Sequence, residues 1–252
     1  MKGVILAAGA SARLRPLTDH VPKCLLNVGD KTILARMLDG LLAQGVTEFV
    51  IVTGYRESQI RDFVKDCFPT LAVTWLSNEH YASTNNIYSL WLTRESVSDH
   101  DILLLDSDIV FDDRIIGLLL TSGHDNCLAV TTGKSLGHEE IKVRVDGNGA
   151  IEEISKEVPP EKALGESIGI EKFGGTFLGR LFAVIDRKVL SEKNVNQFYE
   201  AAFQEVIDGG QTVIAVNVGN LPCMEIDTPE DLETARAMIA ARAAAAEGRG
   251  SR

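Results

Sequence analysis

Hydrophobic positions follow two alternating rhythms along the first half of the chain. Gly3-Val4-Ile5-Leu6-Ala7-Ala8 is a continuous apolar run closing on Gly9, the pattern of a strand buried on both faces of a parallel sheet. From Ile33 to Ala43 apolar residues recur at helical spacing and stop before Gly45, a C-terminal helix signal. Glu48–Gly54 reads as the next strand, Glu57–Phe68 as the next helix and Ala72–Leu76 as a third strand. Ile87–Glu95 reads as a short helix and Asp101–Leu105 as a fourth strand. This alternation predicts an α/β fold with a doubly wound, mostly parallel sheet and a ligand at the carboxyl ends of its strands.

After about Asp112 the rhythm changes. Lys142 to Ile154 alternates with period two on both sides of Asp146-Gly147-Asn148-Gly149, which predicts a β-hairpin. Pro159–Glu166 reads as a polar, irregular loop. Helices are expected at Gly175–Ile185 and Asn196–Asp208, a strand at Thr212–Val218 and an Ala-rich helix from Glu230 to about Glu247. No repeat or linker divides the chain, so residues 1–247 read as a single domain. Residues 1–112 read as one half and 113–228 as a second half carrying the inserted hairpin. A C-terminal helix spans 229–247, and 248–252 reads as a loose tail.

Composition narrows the partners. The 252 residues carry a formal net charge of −11, which argues against a general nucleic-acid binder but not against one bound nucleotide. No run approaches the roughly 20 apolar residues of a membrane helix, and the N-terminus lacks the three-part organisation of a signal peptide. Cys24, Cys67, Cys127 and Cys223 are widely spaced, without metal-ligand pairing. Reduced thiols in a cytoplasmic protein are expected. A homo-oligomer is left open.

The chemistry begins at Leu6-Ala7-Ala8-Gly9-Ala10-Ser11-Ala12-Arg13-Leu14-Arg15-Pro16-Leu17-Thr18, continued by Pro22-Lys23. Small residues after a buried strand let backbone N–H groups approach phosphate oxygens. Arg13 and Lys23 supply fixed positive charge where negative charge develops during phosphoryl chemistry. The motif resembles the signature of nucleotidyltransferases that activate sugar phosphates and small alcohol phosphates, and the resemblance runs to about Leu232. It implies a Rossmann-like nucleotidyltransferase fold. The loop Gly9–Ser11 would wrap a triphosphate, Arg13 would stabilise departing pyrophosphate, and Lys23 would contact phosphate near the reacting centre. The dinucleotide fingerprint G-x-G-x-x-G is absent, which weighs against an oxidoreductase.

Asp106-Ser107-Asp108 follows a predicted strand, where a carboxylate reaches the site mouth. Glu225 and Asp227 share one face of an extended segment. The resemblance implies Asp108 and Asp227 as Mg²⁺ ligands, with Glu225 as a third. Thr228 reads as the cap of the last helix, with Pro229 in its first turn. Tyr81 to Leu90 contains Asn85-Asn86-Ile87-Tyr88-Ser89-Leu90, which resembles a block in bacterial cytidylyltransferases acting on phosphocholine and related head groups. That resemblance implies CTP, read by Asn85, Asn86 and Ser89, although the backbone of Leu6, Ala8 and Gly9 could read the base instead, with Ala10 in the same nucleotide-binding loop. The two amides could equally be helix-start structure.

For the acceptor, Lys142, Arg144, Lys156, Glu166, Tyr199 and Glu200 are candidates, with Phe173 and Phe198 nearby. Cations there would hold a phosphate; rings and carboxylates would face a cationic head group. The only tryptophans, Trp75 and Trp91, fall in the nucleotide half, so a tryptophan cage for choline is not expected. Aminoethylphosphonate, phosphoethanolamine and polyol phosphates remain open. The expected reaction is transfer of CMP from CTP to a small phosphate or phosphonate, with release of pyrophosphate. Sugar-1-phosphate uridylyl or thymidylyl transfer and a noncatalytic nucleotide-binding regulator are the alternatives.

Overall fold

In the computed structural model, which describes residues 1–133 and 135–250, the alternating first half folds as a parallel sheet. The strands of this half are β1 (Lys2–Ala7), β4 (Glu48–Thr53), β5 (Ala72–Ser77) and β6 (Ile102–Asp106) in that sheet, with β2 (Asn27–Val28) and β3 (Lys31–Thr32) paired antiparallel to each other and β7 (Ile109–Phe111) outside it. The second half adds β8 (Cys127–Thr131), β9 (Lys142–Val145), β10 (Ile151–Ser155), β11 (Gly165–Phe173), β12 (Ile214–Asn217) and β13 (Cys223–Glu225). The main sheet runs β10-β9-β11-β6-β1-β4-β5, and β8, itself paired with β12, attaches to β11. Strands β5, β4, β1 and β6 are parallel, and antiparallel β11 joins them to the hairpin β9–β10.

The helices are α1 (Ile33–Ala43), α2 (Glu57–Cys67), α3 (Asn86–Leu92), α4 (Arg94–Val97), α5 (Arg114–Thr121), α6 (Gly175–Asp186), α7 (Glu200–Asp208) and α8 (Pro229–Gly250). Local chemistry sets their ends. Thr32 caps α1 by accepting from the Ala35 N–H at 3.1 Å, and the chain leaves that helix through Gly45 at φ 83°, a conformation glycine adopts without penalty. Alternate residues of the central strands feed two cores. Val4, Leu6, Val50 and Leu104 pack with α3, α6 and α7, whereas Ile5, Phe49, Ile51 and Leu105 pack with α1, α2 and α5. The sheet is therefore doubly wound, as its unbroken apolar strands require.

Three expectations change. The polar stretch read as loop up to Glu166 becomes strand from Gly165, the start of β11 in the middle of the sheet. Its Glu171 and Lys172 are buried, so apolar periodicity could not reveal it. The second helix of the acceptor half starts at Glu200 rather than Asn196. Helix α8 continues to Gly250, into the stretch expected to be loose; Ser251 and Arg252 lie outside the described residues. Among the described residues no helix is long and apolar enough to cross a membrane.

Candidate active site

The site forms at the carboxyl ends of β1 and β6. Leaving β1, the chain makes a tight turn in which Ser11 adopts a left-handed conformation at φ 48°. Its carbonyl accepts from the Leu14 N–H at 3.1 Å and the Thr18 hydroxyl at 3.0 Å. Two short 3₁₀ turns follow, Ala12–Leu14 and Lys23–Leu25. Buried Leu14 and Cys24 anchor them, which leaves Arg13 and Lys23, their sequence neighbours, beside the cavity. A Cβ at Gly9 would meet nothing within 4 Å, because that space belongs to the cavity. At Gly54 it would meet the Ala8 carbonyl at 2.9 Å, so only glycine lets the loop close against β4.

Asp108 reaches the same place by a non-local pairing. The short strands β7 and β13 pair antiparallel, with Glu225 opposite Ile109, and the Ile226 N–H donates to the Asp108 carbonyl at 2.9 Å. This two-stranded sheet brings Asp108, Glu225 and Asp227 together, each offering an oxygen within 4.8 Å of the others. Lys23 Nζ lies 2.8 Å from Asp108 Oδ2 and 2.8 Å from Asp227 Oδ1. Arg13 Nη2 lies 2.7 Å from Asp227 Oδ2. Asp108 Oδ1 is buried without a hydrogen-bond partner. Asp227 is free to turn into this cluster because Thr228 and Asp231 cap α8 between them. Thr228 Oγ1 accepts from the Asp231 N–H at 3.2 Å, and Asp231 Oδ2 accepts from the Thr228 N–H at 2.8 Å, a reciprocal cap.

The charges shape one another. Burial works against the Lys23 ammonium, but Asp108 and Asp227 outweigh it and hold its pKa above the ordinary lysine value. Burial likewise pushes the Asp227 carboxyl up, and Lys23 with Arg13 bring it below its ordinary value. Enclosure in the cavity wall and the charges of Asp108 and Asp227 push the Glu225 carboxyl up to about 8. Glu225 keeps an exposed edge, so its two carboxylate neighbours are the firmer of these causes.

Two cavities meet over this cluster. The first, about 290 Å³, is lined by Leu6, Ala8, Gly9, Ser11, Asn85 and Ser89, among others; Ala10 does not line it. Both amides have their oxygens engaged. Asn85 Oδ1 accepts from the Asn86 N–H at 2.7 Å and caps α3, and Asn86 Oδ1 accepts from the Tyr199 N–H at 2.9 Å. Backbone donors thus fix both carboxamides, and what Asn85 and Asn86 retain for a ligand is their NH₂ groups. Sequence reasoning missed Asn78, which lines this cavity although it is buried. Its Nδ2 donates to Thr84 Oγ1 and Ser89 Oγ, both at 3.1 Å, and so fixes the wall carrying the amides. An Asn after a strand carries no local signal that would have revealed it.

The second cavity, about 370 Å³, is bordered by Lys156, Glu166, Phe198 and Glu200. Four of the residues considered for the acceptor do not reach it. Lys142 is buried, with Nζ bonded to the carbonyls of Gly137 and Glu140 at 3.0 and 3.1 Å. Tyr199 is a fully buried core residue whose hydroxyl donates to Asp106 Oδ2 at 2.8 Å; its neighbour Phe198 faces the cavity instead. Phe173 stacks on Phe177 in the core, and Arg144 is paired with Glu152 and Glu153.

Residues 3–164 match the family model of the MobA-like NTP transferase domain. The chain belongs to that family. Among NTP transferases of known activity, CTP:phosphoglutamine cytidylyltransferase of Campylobacter jejuni is 27% identical over 255 residues, covering 92% of this chain and 98% of the relative. Choline-phosphate cytidylyltransferase of Streptococcus pneumoniae is 35% identical over 107 residues, 42% of this chain and 45% of that protein's length. In fold, the chain matches the solved CTP:phosphocholine cytidylyltransferase of Streptococcus pneumoniae with a TM-score of 0.78 at 22% identity, covering 94% of this chain and 98% of the other. Sugar-phosphate NTP transferases also resemble it: UTP–glucose-1-phosphate uridylyltransferase of Haloferax volcanii is 33% identical over 112 residues, 44% of this chain and 45% of the relative.

Proposed function

We propose that the chain transfers CMP from CTP to a small phosphate or phosphonate acceptor and releases pyrophosphate. The observation that carries this reading is the junction itself. A cavity lined by the glycine loop and a second, separate cavity share Asp108, Glu225 and Asp227, with Arg13 at the rim of both. A donor and an acceptor bound in the two cavities would meet where the fixed charges are concentrated, and that positioning supplies much of the rate of a phosphoryl transfer.

Base choice follows from the amides. Two NH₂ groups whose oxygens are held by backbone N–H groups present donors only. Cytosine offers adjacent acceptors at O2 and N3, whereas uracil carries an N–H at N3. The set Asn85 and Asn86 therefore favours CTP, in keeping with the cytidylyltransferases among the relatives.

The oxygen-only donor set of Asp108, Glu225 and Asp227, with a buried Asp108 oxygen lacking a partner, fits Mg²⁺. Bound there, Mg²⁺ would neutralise phosphate charge. The chain supplies the rest. Gly9–Ser11 would receive the triphosphate, and Arg13 and Lys23 would oppose the charge that grows on the α-phosphoryl oxygens and the departing pyrophosphate. The acceptor phosphate is already an anion at neutral pH, so in-line attack needs no general base and no covalent intermediate.

The test is pyrophosphate release from each of the four NTPs against aminoalkyl phosphates, phosphonates and sugar 1-phosphates. CTP with a small non-sugar acceptor is the expected pair. Faster turnover of UTP or dTTP with a sugar 1-phosphate would replace this reading with sugar activation. No release with any pair would leave a nucleotide-binding regulator.

A further inference from the structure

We propose that the acceptor carries a primary ammonium group, bound in the second cavity by the Glu200 carboxylate beside the ring of Phe198. The inference rests on the nucleotidyl-transfer reading and adds the chemical class of the acceptor's far end.

Charge is the first observation. The second cavity is lined by nine carboxylate side chains and two cations. Both cations are already engaged: Arg13 with Asp227 at 2.7 Å, and Lys156 Nζ with Glu139 at 3.1 Å. An anionic far end would meet net repulsion here, and a neutral one would leave Glu200 Oε2 without a donor.

Glu200 supplies the second, independent observation. It lines the cavity, the residue is only 7% exposed, and its Oε2 has no hydrogen-bond partner. A buried carboxylate oxygen without a donor is costly unless a ligand supplies one. A cation entering beside Glu200 supplies that donor. Burial pushes the Glu200 carboxyl up to about 7, and an adjacent ammonium would restore its ionised form.

The choice between ammonium types rests on the walls. A trimethylammonium has no N–H and is held by the faces of several rings. Among the described residues Phe198 is the one aromatic ring lining this cavity, and Lys156 Nζ lies 4.9 Å from its centroid. Trp91 donates to Asp186 at 2.8 Å and Trp75 lies under the Arg61 guanidinium; neither lines the cavity. A primary ammonium brings three N–H donors, which suits carboxylates rather than a ring cage.

Three acceptors with the same phosphate on a two-carbon arm provide the test: phosphoethanolamine, phosphocholine and propyl phosphate, ending in –NH₃⁺, –N(CH₃)₃⁺ and –CH₃. With Mg²⁺ and CTP, phosphoethanolamine is expected to show kcat/KM at least tenfold above each of the others. Glu200→Gln is expected to lower the phosphoethanolamine to propyl phosphate ratio at least tenfold. Equal or better use of phosphocholine or propyl phosphate by the wild type would overturn the proposal, as would an unchanged ratio in a folded Glu200→Gln. If the variant does not fold, the wild-type order decides alone. If another NTP is the donor, the base assignment fails and the acceptor order is read with that NTP. If no NTP is turned over, the transfer reading fails, and titration calorimetry of the three compounds decides: tenfold tighter phosphoethanolamine supports the ammonium site, and equal binding overturns it.

Discussion

Replacing Asn85 by aspartate separates what this side chain gives the fold from what it offers a ligand. Asn85 Oδ1 accepts from the Asn86 N–H at 2.7 Å and caps α3. An aspartate keeps that acceptor and remains a good cap, so the melting temperature is expected to stay near wild type. What disappears is the NH₂ on the cavity side, replaced by a carboxylate oxygen. Against a cytosine acceptor that exchange costs about 1–3 kcal/mol, or roughly 5- to 150-fold in kcat/KM for CTP. The N3–H of uracil can donate to the new carboxylate, so UTP should lose less. Repulsion between the added charge and the triphosphate is common to both nucleotides and cancels in their ratio. The assay is kcat/KM for CTP and UTP by pyrophosphate release, with calorimetric melting alongside. Asn85→Ala provides the contrast, because it loses the cap as well and should cost about 1 kcal/mol of stability. Should Asn85→Asp keep the wild-type CTP/UTP ratio, the amide is structural and the backbone of Leu6, Ala8 and Gly9 reads the base.

Asp108→Asn and Asp227→Asn are each expected to remove most turnover at limiting Mg²⁺ while preserving the fold by circular dichroism; full activity in both would discard them as metal ligands. Arg13→Ala and Lys23→Ala should each lower kcat by roughly 10²–10³, and Lys23→Ala should also lower the melting temperature, because it strips a buried cation from two carboxylates. Effects limited to melting would contradict the role in transfer. Tyr199→Phe should destabilise by about 1–3 kcal/mol, read from the urea midpoint, since it leaves Asp106 without its buried donor; no change would mean that water replaces it. Hydrogen bonds from Arg114, aided by Arg242, hold the buried Asp112 carboxyl at about 2. A folded-state pKa below the unfolded 3.8 contributes stability above about pH 4 that is lost as pH falls towards 2. Asp112→Asn should therefore destabilise at pH 7 by at most about 2 kcal/mol, discounted because Arg114 is exposed, and the gap should close below pH 4 in urea titrations.

The parts of this molecule legible in the sequence are those whose cause is local. Helix α1, bounded by Thr32 and Gly45, ends where its capping residues say it should, and the glycine loop with Arg13 and Lys23 lies within one short contiguous segment. The triad of carboxylates was reachable only through a family resemblance, since β7 and β13 are three residues each and lie more than a hundred positions apart. Strand β11 escaped because burial of Glu171 and Lys172 is decided by strands on both sides, not by its own pattern. At residues 198–200 the difficulty was finer. Adjacent side chains before a helix face different ways, and composition gives no reason to prefer Phe198 over Tyr199 for the cavity.

Tyr199 has a consequence for how such an enzyme could change its diet. Its N–H is tied to Asn86 at the start of α3 and its hydroxyl to Asp106 at the end of β6, so one buried residue links these two elements. Phe198 and Glu200 flank that fixed post and carry none of these ties. Phe198 borders both cavities, whereas Glu200 borders the second, so on the proposed reading exchanging Glu200 would redraw the acceptor side. New acceptors would then be within reach of a single substitution at position 200, with the nucleotide side conserved as a finished tool.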